Sequence, residues 1–179
     1  MKLIETGIKD LWEIEPDIYY DHRGYFMESF QLEKLREKGI TGPFVQDNQS
    51  FSTKGVLRGL HFQKSPYAQG KLVSVAFGKV LDVVVDIRRD STTFGKHYTC
   101  NLDDTRHNIL YVPEGMAHGF LALEDSLFIY KCTQFYHRSS EAGIVWNDPD
   151  LNIEWGIDNP VISEKDTGLP RFKEVVEKL

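Results

Sequence analysis

The chain has 179 residues with a net charge of -6, 41% hydrophobic and 27% charged residues, and two cysteines. That length suits one domain with a core that needs no disulfide or metal staple. The acidic balance argues against a general nucleic-acid or anionic-membrane binder, which needs a basic surface, but allows a few arginines gathered around one diphosphate.

In chain order, Met1-Lys2-Leu3-Ile4-Glu5 turns acidic at once and has no apolar signal core. An N-terminal arm runs to about Phe30. Gln31–Lys38 reads as a short charged helix, with Gly39 placed as a left-handed C-cap. From about Phe44 to Trp155 the pattern alternates with period two. Gly55–Phe62 is a strand candidate. Lys71–Phe77 and Val80–Ile87 read as a β-hairpin turning at Gly78, with Val73, Val75 and Phe77 on one face. Lys71 shares that face, and a lysine in line with a core stripe is unusual. Further strands are expected at His97–Asn101, Ile109–Val112, Gly119–Leu123, Leu127–Tyr136 and Gly143–Trp146, separated by turn signals such as Pro113-Glu114-Gly115 and Asp148-Pro149-Asp150. In the tail, Phe172, Val175, Val176 and Leu179 form one helical stripe. Many short strands with few helices predict a sandwich or barrel. Without a repeat or flexible linker, residues 1–179 read as a single domain: an arm to about 30, a β core over about 44–155 and a tail from about 156. No run approaches the roughly 20 apolar residues of a membrane span. Cys100 and Cys132 read as free thiols, so a cytoplasmic protein is expected.

Six histidines occur. His22, His97, His107 and His137 lie in polar, turn-like stretches and are expected at the solvated surface. His61 and His118 sit in dense apolar runs, Leu60-His61-Phe62 and Ala117-His118-Gly119-Phe120. Each is compatible with a buried histidine satisfied by backbone groups as well as with a chemical role. Arg23 and Arg58 each precede a glycine, a pairing that lets backbone approach a ligand while the guanidinium forks onto phosphate. Structural salt bridges at strand ends explain them as well. Gln46-Asp47-Asn48-Gln49-Ser50 either lines a polar barrel or forms a solvated edge strand. Tyr130 and Tyr136 have equal parity, and a phenol facing a pocket can donate a proton; amphipathic core tyrosines give the same pattern. Ser163-Glu164-Lys165-Asp166 by itself passes for a solvated charge run.

No His-x-His pair is present, so nothing local supports a metal site of the kind that small barrel enzymes build on one strand. Glycine-rich phosphate loops, Gly-x-Ser-x-Gly elbows and Cys-x-x-Cys pairs are also missing, which removes support for nucleotide-dependent phosphoryl transfer, dinucleotide redox chemistry and serine hydrolysis.

Ordered blocks then carry a resemblance. They include Asp21-His22-Arg23-Gly24-Tyr25-Phe26 with Glu28, Gln46-Asp47-Asn48, Gly55-Val56-Leu57-Arg58-Gly59-Leu60-His61-Phe62-Gln63, Gln69-Gly70-Lys71, Pro113-Glu114-Gly115-Met116-Ala117-His118-Gly119-Phe120, Tyr130-Lys131-Cys132, Glu141-Ala142-Gly143 and Ser163-Glu164-Lys165-Asp166. Together they resemble the dTDP-4-dehydrorhamnose 3,5-epimerase family. The resemblance implies an all-β, jelly-roll (cupin-like, double-stranded β-helix) barrel with a few short helices, working as a homodimer with no cofactor and no metal. It implies epimerisation of dTDP-4-dehydro-6-deoxyglucose at C3 and C5 through an enolate, a step toward dTDP-L-rhamnose.

By motif match, the resemblance makes His61 the base, Asp166 its orienting partner and Tyr130 the acid, with Lys71 and His118 flanking the reacting sugar. Arg23, Phe26, Glu28, Gln46, Asn48, Arg58, Glu141 and Lys165 fall where the family binds nucleotide and sugar. Met116 stands where the family usually has Phe, and Gly156 where it usually has Pro; neither touches a proposed chemical group. One geometric conflict stands out: strict alternation puts Arg58 and His61 on opposite faces, which a bulge at Gly59 would reconcile. The rival expectations are an epimerase of one carbon only, a non-catalytic sugar-nucleotide binding module and a metal-dependent cupin enzyme.

Overall fold

The computed structural model describes residues 1–179. Two antiparallel sheets face one another, the jelly-roll arrangement that the resemblance implied. One has six strands in the order β1 (Lys2–Glu5), β2 (Trp12–Glu15), β10 (Ile109–Val112), β7 (Lys71–Phe77), β12 (Ser126–Cys132) and β5 (Gln46–Ser52). The other has five, in the order β13 (Glu141–Gly143), β6 (Leu57–Gln63), β11 (Met116–Ala122), β8 (Lys79–Asp86) and β9 (His97–Asp103). A hairpin of β3 (Ile18–Asp21) and β4 (Gly24–Met27) pairs with neither sheet. The helices are short: α1 (Leu32–Arg36), α2 (Glu164–Thr167) and α3 (Phe172–Val176). No helix is long and apolar enough to cross a membrane.

The central strands β8 and β11 bury both faces, which explains why they read as continuous apolar runs, whereas the edge strands β5 and β9 alternate with exposed residues. Between the sheets lie Val73, Val75, Val80, Val84, Leu110 and Phe128. Outside the five-stranded sheet, Leu60, Val83, Val85 and Leu121 pack beneath Ile144, Trp155 and Val175 of the C-terminal region. Outside the six-stranded sheet, Leu35 of α1 covers Ile14, Leu72 and Ile109. The helix holds there because the Gln31 side chain accepts from the Lys34 amide at 2.9 Å, while Gly39 at φ +85 lets the Ile40 amide reach back to the Leu35 carbonyl.

The structure revises five sequence expectations. Lys71–Phe77 and Val80–Ile87 do not form a hairpin. β7 pairs with β10 and β12, whereas β8 pairs with β9 and β11 in the other sheet. Gly78, at φ +81, is the corner where the chain changes sheets, and a Cβ there would lie 2.1 Å from the Asp125 carbonyl oxygen. Phe77 leaves the core stripe because the β12 register shifts beside it, and it is exposed. The strand expected over Leu127–Tyr136 ends at Cys132, so Tyr136 lies in the following loop rather than on Tyr130's strand, and the strand expected over Gly143–Trp146 ends at Gly143. Finally, His107 is buried, at φ 51, with its ring 4.6 Å from that of Tyr25 on the hairpin.

Candidate active site

The inner face of the barrel is polar toward one end. β6 carries His61 there, and its Nε2 lies 2.7 Å from Oδ1 of Asp166. Asp166 comes from the tail. Backbone bonds from Leu57 to Val161 and from Val161 to Gly55 lay the tail along β6, and the side chain of Ser163 caps α2, which presents Asp166. Asp166 is buried, which on its own pushes its carboxyl pKa up. Its hydrogen bond to His61, the His61 charge and the Gly59 amide more than offset this and hold it below the ordinary carboxylate value.

A carboxylate accepts only, so His61 donates to it from Nε2, and the neutral form of the ring has its lone pair on Nδ1. That is the arrangement of a positioned base.

Facing strands supply the remaining groups. Lys71 on β7 and Tyr130 on β12 project from the six-stranded sheet, with the Lys71 Nζ 6.0 Å from the centre of the Tyr130 ring. Burial pushes the Lys71 ammonium below the usual lysine range, against the pull of Cys132, Asp82 and Glu141. Burial pushes the Tyr130 phenol up, and Cys132 adds to the rise, so Tyr130 keeps its proton at neutral pH. Directly opposite His61 in the β6–β11 ladder is His118, whose Nε2 lies 2.8 and 3.0 Å from the two carboxylate oxygens of Asp82. Asp82 is wholly buried on β8 and has no other side-chain partner among its hydrogen bonds.

The parity conflict between Arg58 and His61 is resolved by an irregularity in the β6–β11 pairing. His118 pairs with His61 and Phe120 with Arg58, so β6 carries one more residue than β11 between those pairs. This bulge lies at Gly59-Leu60 and turns both Arg58 and His61 toward the same cavity.

That cavity is ≈ 480 Å³, large enough for a small ligand, and is walled by Arg58, His61, Lys71, His118, Tyr130 and Asp166. An adjoining lobe of ≈ 270 Å³ shares His61, Lys71 and Tyr130 and adds Gln46, Asn48 and Glu141. Arg58 is held by Ser52 Oγ at 3.0 Å and the Phe51 carbonyl at 3.1 Å, and Asn48 accepts from Gln46 at 3.0 Å. β5 is therefore both an edge strand and a polar lining, because Gln46, Asn48 and Ser50 share its inner face. Glu141 is bound by Lys165 at 2.6 Å and by the Tyr136 hydroxyl at 2.8 Å. Burial raises its pKa, but these two partners outweigh that and hold it below the usual value.

Ten of the sequence-selected residues thus gather at one cavity and its adjoining lobe. Arg23, Phe26 and Glu28 do not. Arg23 pairs with Asp21 at 2.5 Å, Glu28 with Lys34, and Phe26 is 67% exposed on the hairpin. Sequence reasoning missed Asp82, although a carboxylate inside Val80-Leu81-Asp82-Val83-Val84 breaks the apolar pattern as plainly as Lys71 does. It also missed Phe120 and Phe128, which look like ordinary core residues yet line the cavity. No three metal-ligating side chains converge anywhere in the structure.

The family model described as dTDP-4-dehydrorhamnose 3,5-epimerase matches residues 5–174. A protein of that name from Shigella flexneri is 50% identical over 174 residues, 96% of each chain. A solved 3,5-epimerase from Elizabethkingia anophelis superposes with a TM-score of 0.94 at 48% identity, covering 97% of both chains. Another, from Legionella pneumophila in complex with dTDP-4-keto-L-rhamnose, gives 0.92 at 48% identity, covering 96% of this chain and 93% of that one.

Proposed function

The chain belongs to the dTDP-4-dehydrorhamnose 3,5-epimerase family, and on that premise we propose how its cavity inverts C3 and C5 of dTDP-4-dehydro-6-deoxyglucose. The observation that carries the reading is the His61–Asp166 contact, with Lys71 and Tyr130 facing it across one cavity.

A hydrogen on the carbon beside the C4 ketone is weakly acidic because the electron pair left behind spreads onto the carbonyl oxygen. His61 takes that proton on Nδ1, the C–H bond breaks, and an enolate forms. Asp166, fixed at Nε2, offsets the charge appearing on the imidazole. Lys71 stabilises the enolate oxygen, and His118 with Asp82 adds a second polar group beside it; removing one such donor elsewhere costs roughly 3–4 kcal/mol. Tyr130 then gives its phenolic proton to the opposite face of the carbon, which inverts the centre. The phenolate regains a proton and His61 releases one, so each inversion is neutral overall. A second round at the other carbon completes the reaction. Every step uses a proton, and none calls on a hydride carrier.

Arg58 and Lys165 supply positive charge for the diphosphate, and Gln46, Asn48 and Glu141 supply hydrogen bonds for sugar and nucleotide. Arg23, Phe26 and Glu28 serve across a homodimer interface. The support is their exposed position on a hairpin whose Tyr19, Tyr20 and Phe26 are all more than half exposed. The free thiols at Cys100 and Cys132 support a cytoplasmic setting.

Epimerisation of one carbon only is not favoured, because the relatives with 42–50% identity are named for the double inversion. Incubation with dTDP-4-dehydro-6-deoxyglucose in heavy water tests this directly. Deuterium at both C3 and C5 of an L-configured product is expected. Deuterium at one carbon alone would make it a mono-epimerase.

A further inference from the structure

We infer that Gly59 and Gly119 are positioning residues for the base: their backbone crossing sets the bulge that aims His61 and locks it to Asp166. The inference rests on the reading of His61 as the base.

Two geometric facts support it. First, the β6–β11 register slips between the His118–His61 and Phe120–Arg58 pairs, and Gly119 lies opposite the slip. Second, the two chains touch there more closely than side chains allow. A Cβ on Gly59 would fall 2.5 Å from the Gly119 Cα, and one on Gly119 would fall 2.6 Å from the Arg58 carbonyl oxygen and 2.9 Å from the Gly59 Cα. Real Cβ atoms do not sit that close to backbone, so any side chain at either place must spread the strands. Gly59 also has φ +132, a conformation that side-chain-bearing residues rarely adopt. In keeping with these, the Gly59 amide is one of the groups that favour the charged form of the Asp166 carboxylate.

The consequences converge on one ring. Without the extra residue, alternation counted from Arg58 would turn His61 to the outer side with Leu57 and swing Leu60 and Phe62 inward, so only Arg58 would see the cavity. With it, His61 points inward and its Nε2 meets Asp166 at 2.7 Å. The Gly59 amide at the bulge favours the charged form of the same carboxylate. Asp166 therefore reads two features of β6 at once, the imidazole and the bulge, and their relative placement depends on how near Gly119 lets the backbone come.

The test is Gly119→Ala, made in the parent and in an Asp166→Asn background. A shift of the base by a fraction of an ångström to an ångström lowers kcat by up to roughly 100-fold. A loss of that order is expected in the parent, and a much smaller one where Asp166 is already gone. Imidazole ¹⁵N shifts of His61 should move from a single Nε2-protonated tautomer toward a mixture. Retention of kcat within threefold, equal losses in the two backgrounds, or an unchanged tautomer would each overturn the inference.

Should Gly119→Ala not fold, replacing Gly59 by glycolic acid removes its N–H donor without adding an atom. The acidic limb of kcat/KM is then expected at higher pH, because a donor that lowers the Asp166 pKa has been lost; an unmoved limb would count against the inference. His61→Ala, assayed alongside, reports on the base assignment separately. Near-normal turnover in that variant would defeat the catalytic reading, while the ¹⁵N result still decides the positioning.

Discussion

Replacing Asp166 by Asn removes one charge from the site at almost constant shape. The Asp166 Oδ1 lies 2.7 Å from His61 Nε2, and at an effective dielectric of about 20 a full charge pair at that separation attracts by about 6 kcal/mol. The His61 side chain is 30% exposed, so water screens part of this, and about 3 kcal/mol is a sober figure for the stabilisation lost as the imidazole takes its proton. That alone slows proton abstraction by roughly 100-fold. If the new amide turns its NH₂ toward Nε2, the ring must present a lone pair there and carry its proton on Nδ1, and no base faces the sugar. Inversion of a tautomer in this way costs about 10⁴-fold in a comparable catalytic dyad. The expected drop in kcat for Asp166→Asn is thus between about 10² and 10⁴, with KM little changed. Deuterium wash-in at C3 and C5, followed by mass and stereochemical analysis, measures it. A rate within threefold of the parent would show that Asp166 does not act through His61.

Tyr130→Phe should leave deuterium exchange by His61 in place while inversion falls by roughly 10²- to 10⁴-fold, a split read from exchange and product stereochemistry in the same sample. Lys71→Met should lower kcat by roughly 10²- to 10³-fold. Because burial holds the Lys71 pKa below its unfolded value, folding sheds its proton between those two values and stability rises with pH there; the variant should therefore unfold at a higher temperature than the parent at neutral pH and lose that advantage above about pH 10. Asp86, buried under Arg88, Ser91 and Thr93, has its pKa lowered from 3.8 to about 2. A lowered carboxylate pKa stabilises the fold above its unfolded value and is lost as pH falls through its folded one. Asp86→Asn should therefore cost about 2 kcal/mol at neutral pH, allowing for some solvent screening at Arg88, and flatten the acid unfolding profile between about pH 4 and 2.

Period-two alternation revealed most core strands but not their partners. Lys71–Phe77 and Val80–Ile87 look like a hairpin because consecutive strands usually pair. The corner at Gly78 depends on the Asp125 carbonyl, which sequence alone does not bring near. Lys71 was legible as a cation on a core stripe, because alternation fixes its face whatever its neighbours. Asp166 was not legible by physical reasoning alone. It lies on the four-residue helix α2, and what makes it functional is a tail laid along β6 by the Val161 backbone bonds. His107 looked solvated because Asp103-Asp104-Thr105-Arg106 is polar, yet the loop folds its ring under the hairpin against Tyr25. Asp82 stands out as a break in an apolar run, but its partner was not legible: in a strand buried on both faces, apolar neighbours carry no information about which side a carboxylate meets.

The site contains two histidine–carboxylate pairs at one level of one ladder, and their differences suggest separate work. His61 takes Asp166 from the tail and keeps 30% of its side chain open, so its proton can reach water between inversions. His118 takes Asp82 from the neighbouring strand of its own sheet, and its side chain is 7% exposed. A base must discharge its proton twice for each sugar that is inverted at two carbons, and only the open pair allows that. The closed pair suits a group that holds position rather than exchanging protons with water. Asp82 holds the His118 ring through Nε2 at 2.8 and 3.0 Å. On the proposed reading, the barrel thus separates a ring that moves protons from a ring that supports the developing oxyanion. The separation follows from where each carboxylate comes from: one from a tail that leaves an opening, the other from a strand that leaves none.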